Sequence, residues 1–332
     1  MPVSLVTGGA GFMGAHLVKE LLAMGHTVVA LDDLSGGFRD QVDPRATFVQ
    51  GSINDYALLD ALFATHQFDH VYHLAAYAAE GLSHFIRGFN YQNNLIGSIN
   101  LINASVRYKV KCFVFTSSIA VYGALHPPMR EDMQPKPEDP YGVAKYAVEL
   151  DLYAARHMFG LNYVVFRPHN VYGEYQNIGD RYRNVVGIFM NQLMQGQPLS
   201  VFGDGLQQRA FSYVGDIAPV MARCVDVPEA YGEVFNIGAD TPHTVVQLAS
   251  AVMEAMGVTG ELKHVEARNE VVHAWSDHSK LERIFGMQPN TSLVEGLTRM
   301  ADWAKRTGAR QSKAFGHIEI TEKLPPHWAA QS

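Results

Sequence analysis

Tyr141 and Lys145 are the two residues whose types and spacing best suit proton transfer. They lie four positions apart in "YGVAK", within a run of good helix formers, so a helix would place both side chains on one face. A phenol normally holds its proton at neutral pH, and a neighbouring ammonium favours the phenolate. The pair therefore predicts a general base that acts on an alcohol.

Two serines stand at the carboxyl end of the apolar run "CFVFTSS", which predicts a strand. Open α/β sheets place their chemistry at that end of their strands. Ser118 could hydrogen-bond a reacting oxygen, and Ser117 directly precedes it. Ile119 and Ala120 follow, and neither can give or take a proton. The stretch therefore offers a hydroxyl with no acid beside it.

A glycine-rich turn precedes the first predicted helix. "TGGAGFMG" places Gly8, Gly11 and Gly14 where a tight turn, a nearby pyrophosphate and close helix packing each favour a missing side chain. Asp32 ends the second strand 18 residues after Gly14. A carboxylate there accepts hydrogen bonds from a ribose and repels a 2′-phosphate. The pattern predicts a dinucleotide site that favours NAD over NADP, and Asp33 either shares the role of Asp32 or caps the following turn.

Strand and helix signals alternate through the first half of the chain. Near-continuous apolar runs predict strands at "VSLVTGG", "HTVVALDDL", "ATFVQGS", "HVYHLAA", "KCFVFTSS" and "LNYVVFRP". Helical spacing of apolar residues appears in "GAHLVKELLAMG" and "YGVAKYAVELDLYAARHMFG". This alternation predicts an α/β fold with a doubly wound, Rossmann-type parallel sheet covered on both faces.

The composition of the chain changes after "RPHNVYGEY": glycine, proline and aromatic residues become more frequent, and shorter helices are predicted to follow. We expect an NAD-binding domain over residues 1–173 and a smaller, mixed α/β substrate-binding domain over residues 174–320. The chain is expected to cross back to the first domain at about residues 208–240. Residues 321–332 are expected to form a loosely held tail.

Composition and charge exclude several classes of function. The 332 residues carry a formal net charge of -7 and no basic run, which argues against a nucleic-acid binder. No apolar run is long enough to span a bilayer, and the N-terminus lacks the features of a signal peptide. We therefore expect neither a nucleic-acid nor a membrane partner, and a cytoplasmic location. Cys112 and Cys224 sit in apolar contexts and are expected to be buried and inert.

Three histidines, His66, His70 and His73, lie close enough in sequence to raise the question of a metal site. His70 and His73 occupy a strand at odd spacing, so they point to opposite faces. No set of Cys and His residues completes a site. The sequence therefore predicts no bound metal.

Six motifs, in this order, resemble those of an extended short-chain dehydrogenase/reductase: "TGGAGFMG", "HLAA", "SSIAVYG", "YGVAK", "RPHNVYG" and "FGDGLQQRAFSYVGD". More narrowly, the chain is similar to the nucleotide-sugar epimerases, the group typified by UDP-galactose 4-epimerase. The resemblance implies tightly held NAD, a nucleoside-diphosphate sugar in the cleft, and catalysis by Ser118, Tyr141 and Lys145. It also implies a homodimer formed through the helices that contain Asn94 and Tyr146.

The same resemblance implies two sets of ligand contacts. The cofactor-binding set is Gly8, Gly11, Phe12, Met13, Gly14, Asp32, Asp33, Ser52, Ile53, Leu74, Ala75, Ala76, Asn94, Ser117, Tyr141, Lys145 and Pro168. The substrate-binding set is Glu80, Ser118, Tyr141, Asn170, Val201, Phe202, Arg209 and Arg268. Arg209 and Arg268 fall near the arginines that clamp the diphosphate, a task that suits a planar guanidinium.

Four positions depart from the family pattern or vary within it. Ser52 stands where the family often has an aspartate that holds adenine, and Ala210 replaces the aspartate of the common "RDF". Glu80 lies in an unusual stretch, "YAAEGLSHFIRGFNYQ", and is a candidate to face the sugar. Ala274 matches a position where a small residue makes room for an N-acetyl group. We therefore hypothesise that the pocket tolerates bulkier sugars.

The residues after Ser118 favour one reaction among those of the resembled family. A 4,6-dehydratase carries Asp and Glu where this chain has Ile119 and Ala120, and the 3,5-epimerising relative carries a cysteine in place of Ala120. Without those proton carriers, there remain oxidation at C4 and return of the hydride to the opposite face. We expect a nucleoside-diphosphate-sugar 4-epimerase that favours a UDP-hexose. The alternatives are a UDP-uronate 4-epimerase, a 4-keto-sugar reductase and, in a different class, a non-catalytic NAD-sensing regulator.

Overall fold

A computed structural model describes residues 1–267, 270–286, 291–311 and 315–329. The strands are β1 (Val3–Thr7), β2 (Thr27–Asp32), β3 (Thr47–Gln50), β4 (His70–His73), β5 (Cys112–Thr116), β6 (Tyr163–Pro168), β7 (Val171–Tyr172), β8 (Leu199–Phe202), β9 (Gln208–Ala210), β10 (Ser212–Tyr213), β11 (Glu233–Ile237), β12 (Pro242–Thr244), β13 (Leu262–Val265) and β14 (His273–Ala274).

The helices are α1 (Phe12–Ala23), α2 (Tyr56–His66), α3 (Glu80–Ser83), α4 (Arg87–Tyr91), α5 (Gly97–Arg107), α6 (Pro140–Phe159), α7 (Val185–Met194), α8 (Val214–Arg223), α9 (Val245–Met256), α10 (Ser279–Phe285), α11 (Leu293–Thr307) and α12 (Pro326–Ala329). A π-helical turn, Gln92–Ile96, joins α4 to α5, and a 3₁₀ turn, Ile119–Tyr122, follows β5.

Seven parallel strands form the main sheet in the order β11–β6–β5–β4–β1–β2–β3. Alternate side chains of each strand enter opposite layers: Val6 and Ala30 join one apolar core, and Leu5 and Val29 join the other. Helices α1 and α8 cover the first layer, and α2, α5 and α6 cover the second. The predicted doubly wound α/β fold is confirmed.

Local sequence explains where α6, the helix that carries Tyr141 and Lys145, begins. Asp139 caps the helix by accepting a hydrogen bond from the backbone N–H of Gly142 at 2.8 Å, and Pro140 occupies the first turn. Gly160 ends the helix in the left-handed conformation, with φ of +73°. Tyr141 therefore lies in the first helical turn, at the edge of the sheet where β5 ends.

A third apolar core lies among α7, α9 and α11. The short strands of this part pair as β8 with β13, β7 with β10, and β12–β9–β14. The chain rejoins the main sheet at β11, which pairs with β6. The division into domains at residue 173, with a crossing at about 208–240, stays a prediction.

The C-terminal segment packs firmly instead of forming a loose tail. Trp328 is 5% exposed, and its ring contacts those of Phe85 and Tyr182 at centroid distances of 6.3 and 5.4 Å. The carboxylate of Glu319 accepts hydrogen bonds from the N–H groups that open α4. The expectation of a loosely held terminus therefore fails at Trp328, which distant aromatic partners bury, whereas Thr321, Glu322 and Lys323 are exposed.

Both cysteines are buried, and His73 is hydrogen-bonded to neighbouring side chains. Cys112 and Cys224 are buried free thiols, as predicted, and burial raises the pKa of Cys112 to about 12. Both ring nitrogens of His73 hydrogen-bond hydroxyls, those of Thr7 at 2.8 Å and Ser98 at 2.7 Å.

Among the described residues, no group of three or more His, Cys, Asp or Glu side chains is arranged to hold a metal ion. None of the helices in the described ranges is long and apolar enough to cross a bilayer.

Candidate active site

A cavity of about 540 Å³ opens at the carboxyl ends of the central strands. It is lined by most of the predicted cofactor set: Gly8, Gly11, Phe12, Met13, Gly14, Asp32, Asp33, Ser52, Ile53, Leu74, Ala75, Ala76, Ser117, Tyr141, Lys145 and Pro168. It is also lined by Glu80, Ser118, Asn170, Phe202 and Arg209 from the predicted substrate set. Residues dispersed over two hundred positions of sequence therefore meet in one cleft.

The glycine-rich turn forms a cradle that side chains would fill. Gly8 has a φ of +71°, a conformation that L side chains rarely adopt. A Cβ on Gly14 would overlap the carbonyl oxygen of Gly8. No side chain caps the start of α1 and its first turn holds no acidic residue, so its N–H groups remain available to an anion. This geometry fits the pyrophosphate of a dinucleotide.

Asp32 occupies the position expected of a ribose ligand. Its carboxylate accepts hydrogen bonds from the N–H groups of Ala10 at 3.0 Å and Leu34 at 2.8 Å, which fix its orientation at the end of β2. Burial raises the pKa of Asp32, and the backbone hydrogen bonds oppose that rise. Asp33 instead accepts from the N–H of Ser35 at 2.9 Å. The structure thus favours the turn-capping role for Asp33.

Ser118, Tyr141 and Lys145 converge on one wall of the cavity. Ser118 lies near the phenol of Tyr141 and lowers its pKa, and the Ser118 hydroxyl accepts a hydrogen bond from the N–H of Ala120 at 3.2 Å. The Nζ of Lys145 donates to the carbonyl oxygen of Thr116 at 2.7 Å and lies 5.7 Å from the centroid of the Tyr141 ring. The predicted clustering of hydroxyl, phenol and ammonium is present.

Burial opposes the charges that this cluster needs. Burial raises the pKa of Tyr141; nearby Ser118 lowers it, and the charges of Glu80 and Asp139 raise it further. Burial also lowers the pKa of Lys145 to about 7, and the carboxylate of Glu149 opposes that change. Burial therefore favours the neutral phenol and the neutral amine, because both side chains are removed from water. That the ammonium form of Lys145 favours the phenolate stays a prediction.

A buried ion pair lies behind the cluster. The guanidinium of Arg167 meets the carboxylate of Glu149 at 2.5 and 3.0 Å, and the two side chains are 4% and 5% exposed. The hydroxyl of Ser117 donates to the same carboxylate, and the Tyr122 hydroxyl accepts from Arg167 at 2.8 Å. Ser117 lines the cavity, but its hydroxyl is engaged by the carboxylate of Glu149.

Three predicted ligand contacts lie outside the cavity wall. The side-chain amide of Asn94 is committed to the backbone N–H and carbonyl of Tyr77, at 2.8 and 3.1 Å, so it supports the wall and does not line it. Val201 is fully buried in the third core. Ala274 does not line the cavity itself, but it packs in a cluster that includes Ile119 and Val271 of the cavity wall. The hypothesis that its small side chain makes room for bulkier sugars stays a prediction. The sequence positions of Asn94, Val201 and Ala274 alone do not show which way these side chains point.

Of the two arginines predicted to bind the diphosphate, Arg209 lies in the cavity wall. Its guanidinium donates to the carbonyl oxygens of Gln208, Val271 and Val272 and lies 3.5 Å from the carboxylate of Glu270. Arg268 lies outside the described residues. Asn170 lines the cavity with a φ of +42°, and its amide donates to the Ala210 carbonyl at 3.1 Å.

Sequence reasoning missed several residues of the wall. They are Tyr77, His84, Phe89, Arg181, Tyr182 and Arg183. The Nε of Arg183 is 2.7 Å from Asp180, and its guanidinium lies 4.9 Å from the Tyr77 ring centroid. The sequence signal for these residues was the basic pair in "DRYRN", between predicted elements. Polar residues on connecting loops commonly carry function, so this pair could have been chosen as a candidate.

Comparisons with known proteins place the chain in one family. The model of the NAD dependent epimerase/dehydratase family matches residues 4–238. A putative UDP-glucose 4-epimerase of Methanocaldococcus jannaschii is 33% identical over 304 residues, which cover 91% of this chain and 98% of that protein.

Two solved structures are similar over nearly their whole length. The UDP-glucose 4-epimerase of Thermotoga maritima, crystallised with UDP-glucose, is 34% identical with a TM-score of 0.87, covering 92% of this chain and 99% of that one. The UDP-glucose 4-epimerase of Thermus thermophilus, in complex with NAD, is 32% identical with a TM-score of 0.86, covering 91% and 98%.

Proposed function

The chain belongs to the NAD-dependent epimerase/dehydratase family, and we propose that it inverts the configuration at C4 of a nucleoside-diphosphate hexose, with a UDP-hexose as the favoured substrate. The observation that carries the proposal is the convergence of Ser118, Tyr141 and Lys145 beside the dinucleotide cradle, in one cavity. The similarity to UDP-glucose 4-epimerases over more than nine-tenths of the chain supports the same reaction.

We propose that the cofactor residues act as follows. The uncapped start of α1 and the Gly8–Gly14 turn hold the pyrophosphate, and Asp32 accepts hydrogen bonds from the adenosine ribose. NAD bound there would supply the acceptor for the hydride of the sugar carbon and the donor that restores it. Because hydride is returned, the cofactor need not leave between turnovers.

The proton path follows from the cluster on the opposite wall. The phenolic oxygen of Tyr141 removes the proton of the C4 hydroxyl and later restores it. Ser118 donates a hydrogen bond to the same sugar oxygen and stabilises its developing negative charge. The ammonium form of Lys145 favours ionisation of Tyr141, and the buried carboxylate of Glu149 favours that ammonium form.

The residues after Ser118 disfavour elimination. Ile119 and Ala120 begin a 3₁₀ turn in which Ile119 lines the cavity, and neither can protonate a leaving hydroxyl. After oxidation at C4 the sugar therefore keeps its other hydroxyl groups. Turnover of the keto sugar within the cavity, followed by reduction on its other face, gives the C4 epimer.

A homodimer is part of the proposal. Apolar side chains are exposed along one side of α6, with Leu150 at 53% and Tyr153 at 65%, and Ile96 at the start of α5 is exposed at 45%. Helices α5 and α6 pack side by side, and we propose that their exposed apolar residues pair with the same helices of a second copy. The two free thiols support a reducing, cytoplasmic location.

NMR of the purified protein with UDP-galactose, without added cofactor, tests the function. Appearance of UDP-glucose is expected, and the variant Tyr141→Phe should abolish it. Tyr153→Phe is the matched control, because it removes an exposed hydroxyl from the same helix. A 4-keto-sugar reductase would instead consume added NADH or NADPH stoichiometrically.

UDP-glucuronate, tested in parallel, distinguishes a uronate 4-epimerase. Bound NAD without conversion of UDP-galactose or UDP-glucuronate would contradict the proposal for these substrates. That result would favour a cofactor-sensing protein, or a substrate with another nucleotide.

A further inference from the structure

Arg181 carries buried donor atoms that no described residue satisfies. Its Nε and Nη1 atoms are buried and lack a hydrogen-bond partner within the described part of the chain. The half-buried side chain lines the cavity, in the connection between β7 and α7. Removing a charged donor from water without a partner is costly. Both atoms are shielded from solvent, so the guanidinium must turn toward the cavity to meet a group that enters with the ligand, and that turn would give both donors a partner.

Two neighbouring arginines of the wall already have protein partners. Arg183 is held by the carboxylate of Asp180 and the ring of Tyr77. Arg209 is held by three backbone carbonyl oxygens and the carboxylate of Glu270. Either arginine would have to exchange these contacts to bind an anion. Arg181 would gain contacts without breaking one between described residues.

We infer that Arg181 binds an oxyanion of the sugar nucleotide. A guanidinium forms two parallel hydrogen bonds to a phosphate or a carboxylate, so the shared chemistry is a planar fork meeting two anionic oxygens. Two groups of such a ligand supply it: the diphosphate of any UDP-sugar, or the C6 carboxylate of a UDP-uronate. The inference deepens the proposed function and rests on it for the class of substrate.

Calorimetric titration of the NAD-loaded protein with UDP, uridine, UDP-glucose and UDP-glucuronate tests this inference. Arg181→Met should weaken every ligand that carries the contacted oxyanion by about 10- to 100-fold, as expected for loss of charge-assisted hydrogen bonds. Uridine, which lacks the anion, should be unaffected. Arg181→Lys keeps the charge without the fork and should lie between the wild type and Arg181→Met.

Arg310→Met is the matched control. Arg310 also has a buried Nη1 without a described hydrogen-bond partner, but it does not line the cavity, so its replacement should leave every ligand affinity unchanged. Arg181→Met should retain bound NAD and melt no earlier than the wild type, because an unpartnered charge has been removed. A purely structural role for Arg181 would lower the melting temperature instead.

The pattern of losses identifies the oxyanion. Equal weakening of UDP and both UDP-sugars assigns Arg181 to the diphosphate, and weakening of UDP-glucuronate alone assigns it to the carboxylate. Unchanged affinities, equal weakening of uridine, or loss of NAD alone would each overturn the inference. Binding can be measured without turnover. If UDP affinity depends on Arg181 but the protein epimerises no substrate, the proposed function is refuted and the role of Arg181 stands.

Discussion

Replacing Lys145 with methionine should make the cofactor-free protein more stable while removing its activity. Lys145 is 2% exposed, and its Nζ makes one described hydrogen bond, to the carbonyl oxygen of Thr116 at 2.7 Å. Burial lowers the pKa of its ammonium from 10.5 to about 7. Methionine has a similar length and carries no charge to desolvate, so Lys145→Met keeps the packing and removes the cost.

The magnitude follows from that pKa. Each pH unit between 10.5 and 7 corresponds to about 1.4 kcal/mol, so holding a buried ammonium costs about 5 kcal/mol at low pH. Losing the hydrogen bond to Thr116 takes back about 1 kcal/mol. We therefore expect Lys145→Met to raise the free energy of unfolding by about 3 to 4 kcal/mol at pH 6.

The gain should depend on pH with a definite sign. The pKa of Lys145 is lower in the folded than in the unfolded chain, so the unfolded chain binds more protons between about pH 7 and 10.5. Wild-type stability therefore rises with pH in that window through this group. The advantage of Lys145→Met is full below pH 7 and shrinks as the pH approaches 10.5.

Urea unfolding of cofactor-stripped wild type and Lys145→Met, at pH 6 and pH 9.5, measures the effect. The control is Lys136→Met, which replaces an exposed lysine and should change the unfolding free energy by less than about 0.5 kcal/mol. A destabilised Lys145→Met protein at pH 6, or a gain that does not shrink with pH, would refute the reasoning about burial.

Three further variants test other parts of the structure. Glu149→Gln strands the buried charge of Arg167 and should cost about 3 to 5 kcal/mol by urea unfolding; a loss below about 1 kcal/mol would contradict the pairing. Asp32→Asn removes the charge that repels a 2′-phosphate, so the ratio of NADP to NAD affinity should rise at least about tenfold; an unchanged ratio would disprove that role. Trp328→Ala should cost about 3 kcal/mol, because it empties a buried aromatic contact with Phe85 and Tyr182; a cost no larger than that of the exposed Glu322→Gln would restore the view of a loose tail.

The sequence predicted those parts of the fold whose signals are local. Each of the first six strands is a near-continuous apolar run, and each is a strand of the main sheet. The helix that carries Tyr141 and Lys145 could be predicted because its apolar stripe and good helix formers lie within twenty residues. The glycine turn and Asp32 could be placed because both flank predicted strands.

The errors arose where long-range packing decides the outcome. Trp328 is buried by rings that lie more than a hundred residues away in sequence. Asn94 shares a helical segment with residues of the cofactor cleft, yet its amide binds the backbone of Tyr77. Arg181 and Arg183 lie on a loop without periodicity, so no pattern placed them in the cavity. The pKa of Lys145 depends on complete burial, which composition and spacing do not show.

The most direct test of the proposed mechanism follows one hydrogen atom. UDP-galactose deuterated at C4 would be incubated with the protein carrying only its resident cofactor, and the UDP-glucose formed would be examined by NMR. We predict that deuterium is retained at C4 of the product, because the hydride that leaves the carbon returns to the same carbon from within the cavity. Product with hydrogen at C4 and deuterium in the solvent would contradict the account, since it would show inversion by proton exchange.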